Sequence, residues 1–267
     1  MGVIMLRISG YTSQLSVTTD SWIIRGKHLL RDPGDMQPRV ITQLGLADMV
    51  TIANAGLGFF AAVVASQDLI LAARLILLAA ITDALDGVIA RHRGGTAVGE
   101  YLDGLADVAS FGVAPALIVA TVSVRSSCQV RISSNRHRLC AAFVMSAVTR
   151  LGLYTAYDSK SAETEGVQTT LAATIIGASL LAGFITPSLL VILTGVLTIL
   201  MLTPITYPDL HAQDSIVMGA VQIAAIGLTG PLGRRHVGTL GEGFAFGLLF
   251  LSLAYLTLGP RFYWRRD

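Results

Sequence analysis

Charged residues are scarce in this chain. Of its 267 residues 13% are Asp, Glu, Lys or Arg, while 53% are hydrophobic. Soluble domains carry about a quarter charged residues, so an ordinary soluble protein is excluded. The composition reads as an integral membrane protein, with a mean hydropathy of +0.66. A basic surplus is missing too: the formal net charge is +2, no basic patch is interleaved with aromatics, and nucleic acid is excluded as a partner. Cysteine is nearly absent. Cys128 and Cys140 are the only two, too few for a disulfide scaffold or a cysteine metal site.

Long apolar runs are what the chain does have. A crossing helix needs about 20 mostly apolar residues, and eight windows come near that: 48–66, 69–91, 100–124, 139–156, 168–184, 187–204, 213–231 and 240–258. The pair 168–184 and 187–204 is the shortest, joined only by "FITPS". The expected fold is an all-α polytopic membrane bundle of six to eight transmembrane helices. No stretch between windows is long enough for a separate soluble domain. Residues 1–35 read as a weakly structured extension, without a signal-peptide core or cleavage pattern, and possess the character of an over-extended start. The membrane domain then runs from Met36 to Asp267. An even span number with both ends inside puts Arg91, Arg93 and the basic residues near both termini on the cytoplasmic side. "VRSSCQVRISSNRHR" (124–138) runs against that bias.

The charges that are present are concentrated. "ITDALDGVIARHRGG" (81–95) follows "LILAARLILLAA", apolar but for Arg74, with no turn signal between them. Residues three and four apart share a helix face, so Asp83, Asp86, Gly87 and Ala90 line one stripe. After Arg91 and the short loop "HRGGTAV", the next helix carries Gly99, Asp103 and Asp107 at four-residue spacing, again on one face. Two helices joined by so short a loop must touch. Four carboxylates therefore converge, with small residues beside them where another group can approach closely. Such a cluster cannot stay ionised in a low-dielectric setting without large cost. One or two divalent cations would resolve this, and all-oxygen ligands suit Mg²⁺, Mn²⁺ or Ca²⁺ rather than zinc. Mg²⁺ held by carboxylates commonly partners phosphates, with Arg91 placed as a phosphate clamp. The plainer alternative is that the acids cap helix ends or pair with Arg91 and Arg93.

"DALDGVIARHRGGTAVGEYLDGLAD" (83–107) resembles the signature of the CDP-alcohol phosphatidyltransferase family, D-x-x-D-G-x-x-A-R followed by a spacer and G-x-x-x-D-x-x-x-D. Asp83, Asp86, Gly87, Ala90, Arg91, Gly99, Asp103 and Asp107 all fall on motif positions. The spacer between Arg91 and Gly99 is one residue shorter than the family pattern, a departure confined to the interhelical turn. The resemblance implies that a CDP-linked lipid donates its phosphatidyl group to an alcohol and CMP leaves. It implies two divalent ions, Mg²⁺ or Mn²⁺, with Asp83, Asp86 and Asp103 as metal ligands. Asp107 becomes the general base, beside or among those ligands, and Gly87, Ala90, Arg91 and Gly99 line the nucleotide pocket.

Further stretches resemble the phosphatidylserine synthase branch of that family: "LADVASFGVAPA" (105–116), "TRLGLYTAYD" (149–158), "EGVQTTLAA" (165–173) and "LTPITYP" (202–208), with Thr51, Asn54 and Gly58 on the first helix. In form the chain is most similar to archaeal members, whose product is archaetidylserine. A lone arginine in an apolar helix is expensive and faces a partner or cavity. Arg150 is therefore the candidate acceptor-binding residue, for a serine carboxylate, though a lipid phosphate or the acidic cluster would also suit it. "TRLGLYTAYD" has Leu153 where that branch usually has a second arginine, which weakens the serine assignment. Ser110 and Pro115 read as packing and kink positions. His92, His137 and His211 read as solvated loop residues. The expected partners are a CDP-linked lipid and serine, membrane lipids, and a second copy in a homodimer, with the active site facing the cytoplasm. Glycerol phosphate or inositol phosphate as acceptor is the nearest alternative. A cation-coupled transporter is the alternative of another class.

Overall fold

The computed structural model describes residues 44–125, 130–158, 163–208, 212–231, 233, 235 and 239–262. The extension over 1–35, the boundary at Met36, Cys128, Lys160, His211, Arg234, His236 and the terminal "YWRR" lie outside the described residues. Those from Leu44 onward belong to one unit.

Every one of the eight apolar windows holds a helix. In chain order these are α1 (Leu46–Val64), α2 (Leu69–Arg93), α3 (Gly99–Asp107), a π-helical turn (Val108–Val113), α4 (Ala114–Arg125), α5 (Val130–Leu153), a second π-helical turn (Tyr154–Asp158), α6 (Thr169–Leu181), α7 (Pro187–Met201), α8 (Ala212–Leu228) and α9 (Leu240–Phe262). The chain is an all-α membrane protein. Among the described residues four stretches are both long and apolar enough to cross a membrane: Leu46–Val64, Gly99–Ser123, Asn135–Ala156 and Leu240–Arg261. Helix α2, with 25 residues, is long enough but carries the charges of the motif.

Two windows contract. The window 168–184 becomes a 13-residue α6, about 20 Å long at about 1.5 Å per residue. Its end is set by Gly183, whose φ of 87° is the left-handed conformation that closes helices. Pro187 then opens α7 from its first turn, where a missing N–H costs nothing. Another window lengthens. Helix α5 starts at Val130, ahead of the apolar run, because Arg, Ser and Asn do not break a helix, and Arg136 Nη1 donates to Ser123 O at 3.3 Å to tie its start to α4. His137 is accordingly on a helix rather than in a loop, and His92 lies in the last turn of α2.

Helix α6 is the centre of the bundle. Every residue from Leu171 to Leu181 is buried, as expected for a helix that is apolar all round. It packs on α2, α9 and the first π turn, with Ile76, Leu77, Phe111, Ile175 and Ile176 fully enclosed. The outer faces are the reverse: Phe59, Ile192 and Phe250 are each more than 60% exposed, an apolar exterior suited to lipid. Two polar residues inside apolar helices find backbone partners across the bundle. Arg74 Nε donates to Ile226 O at 2.8 Å, at the carbonyl-rich end of α8, and Gln222 Nε2 returns a bond to Leu77 O at 2.6 Å. Arg74 is thus explained as a clamp between α2 and α8.

A short antiparallel ribbon interrupts the helices. β1 (Glu163–Glu165) pairs with β2 (Thr206–Pro208), Thr164 opposite Tyr207. Tyr207 donates to Leu256 O at 3.1 Å and Tyr255 to Pro208 O at 2.7 Å. The "TYP" element thereby anchors the ribbon to α9.

Helix α1 presents Ala47, Asp48, Thr51, Asn54, Gly58 and Ala61 inward. Ser110, in the first π turn, donates to Asn54 O at 2.8 Å. A Cβ added at Gly58 would lie 2.5 Å from both Cα and Oγ of Ser110, and backbone cannot yield to it. Gly58→Ala is therefore expected to destabilise the protein by about 1–3 kcal/mol, read as a lower Tm in detergent. Gly56→Ala, whose new methyl would meet nothing within 4 Å, is the control; equal losses in both would contradict the contact.

Candidate active site

Helices α2 and α3 are joined by a turn that the sequence shortens by one residue. Gly94 closes it: its φ of 87° ends α2, and its N–H bonds Ala90 O at 2.9 Å. Asp48 secures the other side. It is 2% exposed and accepts from Gly45 N at 2.7 Å and from Thr96 Oγ1 at 2.8 Å, so one carboxylate starts α1 and pins the α2–α3 turn to it. Gly99 packs against this arrangement, since a Cβ there would sit 3.1 Å from Asp48 Oδ1.

Helix α3 packs chiefly on α1 rather than along α2, so the two motif helices meet through their acids more than along their length, Asp83 by Asp107 and Asp86 by Asp103. Asp83, Asp103 and Asp107 each offer an oxygen, all within 4.8 Å of one another. The Asp83 and Asp107 carboxyl groups lie next to each other in this trio. Asp107 is 7% exposed, and its Oδ1 is buried without a partner. Asp86 stands beside this trio, not in it. It is buried and accepts a hydrogen bond from Thr51 Oγ1 at 2.6 Å. Thr51 also lies 3.1 Å from Ala47 O, but a hydroxyl has one proton and the shorter bond to the carboxylate takes it.

Three ionised carboxylates about 5 Å apart repel by about 3 kcal/mol per pair at an effective dielectric of about 20. That total rivals the whole stability of a folded domain, so the trio calls for a counter-cation. Its donors are all oxygen, and Asp107 Oδ1 among them is buried without a partner. The residues fit a hard divalent ion such as Mg²⁺ or Mn²⁺, and could hold one.

The remaining motif residues sit nearby with less contact. Arg91 is exposed in the last turn of α2, its Nη1 3.5 Å from where a Cβ on Gly87 would be. Gly87, Ala90 and Gly99 are half-buried. Arg150 is brought to the acids from the far end of α5. It is 6% exposed, with its guanidinium 5.8 Å from the Tyr154 ring centroid, within cation–π range. A cavity of about 190 Å³ joins these groups, lined by Asp83, Asp103, Asp107, Arg150, Tyr154 and Thr164 among others. Glu100 lies at its rim and Gln168, Thr169 and Thr170, the start of α6, also face it. Both π-helical turns flank this space, each beginning within four residues of a site residue, Asp107 or Arg150. Such turns recur at functional sites.

Against known families, residues 44–206 match the CDP-alcohol phosphatidyltransferase model. The chain belongs to the CDP-alcohol phosphatidyltransferase family. It is 26% identical over 181 residues to the archaetidylserine synthase of Methanothermobacter thermautotrophicus, covering 66% of this chain and 75% of that protein. It is 34% identical over 105 residues to the CDP-diacylglycerol–serine O-phosphatidyltransferase of Saccharomyces cerevisiae, covering 36% of this chain and 38% of that protein. The family expected from "DALDGVIARHRGGTAVGEYLDGLAD" is the one found, both relatives come from the serine synthase branch, and the chain is a transferase. Membership also sets aside the transporter alternative.

Sequence reasoning passed over Asp48, Glu100, Tyr154 and Thr164. Asp48 carried a signal: an acid three residues into a helix that starts at Gly45 is capping spacing. Thr164 carried none, because its place depends on a ribbon pairing across about 40 residues of chain. On this geometry the purified protein should bind Mn²⁺ measurably by electron paramagnetic resonance. Asp83→Ala and Asp103→Ala should each abolish that binding. Thr51→Val, which removes only the bond to Asp86, should weaken it about tenfold. Full Mn²⁺ affinity in Asp103→Ala would rule the trio out as the metal site.

Proposed function

We propose that this transferase moves the phosphatidyl or archaetidyl group of a CDP-linked lipid onto the hydroxyl of serine and releases CMP. The observation that carries the serine assignment is Arg150, a buried cation on the cavity that holds the three aspartates. Among the described residues lining that cavity it is the one cation. One planar guanidinium matches a single carboxylate, whereas a phosphate-bearing acceptor calls for several basic groups. The names of the two relatives agree with this reading.

In the proposed reaction Asp83, Asp86 and Asp103 would hold two divalent ions. Such ions, when bound, would supply positive charge to offset that on the attacked phosphate and on departing CMP. Asp107 takes the proton of the serine hydroxyl as its oxygen forms a bond to the lipid phosphorus, and the phosphoanhydride bond to CMP breaks. Buried at the cavity floor, Asp107 has the free Oδ1 that this step needs. Gly87, Ala90, Arg91 and Gly99 border the nucleotide, the two glycines leaving room and Arg91 reaching a phosphate. The Arg150 guanidinium holds the serine carboxylate and thereby turns the hydroxyl toward Asp107. The site opens to the cytoplasm, where serine and CDP-lipid are met, and the chain works as a homodimer in lipid.

Purified protein given CDP-lipid, Mg²⁺ or Mn²⁺ and labelled acceptors in turn should label lipid from serine and release CMP. Label entering from glycerol 3-phosphate or inositol phosphate but never from serine would overturn the acceptor. Arg150→Lys keeps the charge but loses the fork, so KM for serine should rise about tenfold with KM for CDP-lipid near wild type. Asp107→Asn should lose turnover by at least about a hundredfold yet retain CDP-lipid binding. Loss of both together would make Asp107 a metal ligand alone.

A further inference from the structure

The cavity wall formed by α3 is a stripe of one chemical kind. Glu100, Asp103, Gly104 and Asp107 all line it, at offsets of three, four and seven residues that share a helix face. Along that stripe exposure falls from mouth to floor: Glu100 is exposed, Asp103 half-buried and Asp107 buried. The deeper two belong to the carboxylate trio, but Glu100 does not. It sits about 4.5 Å nearer the mouth than Asp103 along the axis and about 10 Å from Asp107. Arg150 of α5, buried and positive, lines the same cavity. The cavity volume is about 190 Å³, room for a small polar molecule.

We infer that Glu100 is a specificity-determining residue: it recognises the ammonium group of the acceptor while Arg150 takes the carboxylate. This deepens the serine reading given above and rests on it. An amino acid has two opposite charges a few ångströms apart, and the cavity is lined by an anion and a cation outside the trio, Glu100 and Arg150. Thr164 from the ribbon and Thr169 and Thr170 from the start of α6 add neutral hydroxyls to the same lining. A carboxylate at the wet mouth keeps its charge cheaply and still gains a charge-assisted bond once the ligand enters. An analogue without an ammonium forgoes that bond, while its own carboxylate meets the Glu100 charge without a cation beside it. Glu100 thus separates serine from uncharged or purely acidic hydroxy compounds that the metal-side chemistry would accept equally well.

The test compares Glu100→Gln and Glu100→Asp with wild type, using serine and 3-hydroxypropionate, which has the same hydroxyl and carboxylate but no amine. Wild type should prefer serine strongly. In Glu100→Gln, KM for serine should rise about tenfold, kcat at saturating serine should stay near wild type, and KM for 3-hydroxypropionate should not change. Glu100→Asp should recover part of the serine affinity. The inference is overturned if Glu100→Gln leaves KM for serine unchanged, or raises it for both acceptors alike. A shift in the Mg²⁺ requirement with no serine effect also overturns it, leaving Glu100 as an electrostatic neighbour of Asp103. Failure of the wild type to use serine at all is a separate result. It removes the acceptor reading itself, and this inference with it.

Discussion

Carboxylates held close together in a bundle of apolar helices repel, and the surrounding structure works to keep them there. Asp83, Asp103 and Asp107 come within 4.8 Å with α3 held chiefly by α1 and joined to α2 by a short turn. That turn depends on Gly94 for its left-handed backbone and on Thr96 bonded to Asp48 for its position. Asp48 in turn belongs to α1, whose close approach at Gly58 fixes it against the π turn that follows Asp107. The site is therefore a three-helix construction although its acids come from two.

Several polar groups inside the membrane-spanning region are matched to a backbone group of another element: Arg74 to Ile226, Gln222 to Leu77, Ser110 to Asn54, Tyr207 to Leu256 and Tyr255 to Pro208. Others, Thr194 and Thr229 among them, bond a carbonyl one turn back in their own helix. Where water is absent an unsatisfied polar atom is costly, so the bonds between elements fix helix register as well as contact. Asp107 Oδ1 has no such match, and neither do the Asn54 amide and Ser252 Oγ.

Much of this was readable from residues alone. Every apolar window became a helix, and the motif from Asp83 to Asp107 supplied the site, because both depend on local spacing that a helix converts directly into geometry. Length was less legible: 168–184 looks like a span, but Gly183 stops α6 at 13 residues. Arg150 was legible as an expensive residue, not as a neighbour of Asp83, since that proximity depends on how α5 packs. Asp86 looked equivalent to Asp83 by spacing, yet Thr51 draws it aside. The ribbon was not legible at all. Three-residue strands carry no periodicity, and their pairing joins Glu163–Glu165 to Thr206–Pro208 across two intervening helices.

The shortness of α6 has an effect on what lines the cavity. The hydrocarbon core of a bilayer is about 30 Å thick, and a 13-residue helix falls roughly 10 Å short of it. Because α6 is enclosed by other helices, lipid never senses this mismatch and the bilayer has no need to thin around it. At its N-terminal end the helix gives way to Gln168 and, beyond it, the ribbon residue Thr164, and with Thr169 and Thr170 these line the cavity. A helix long enough to span would put apolar turns where those polar side chains stand.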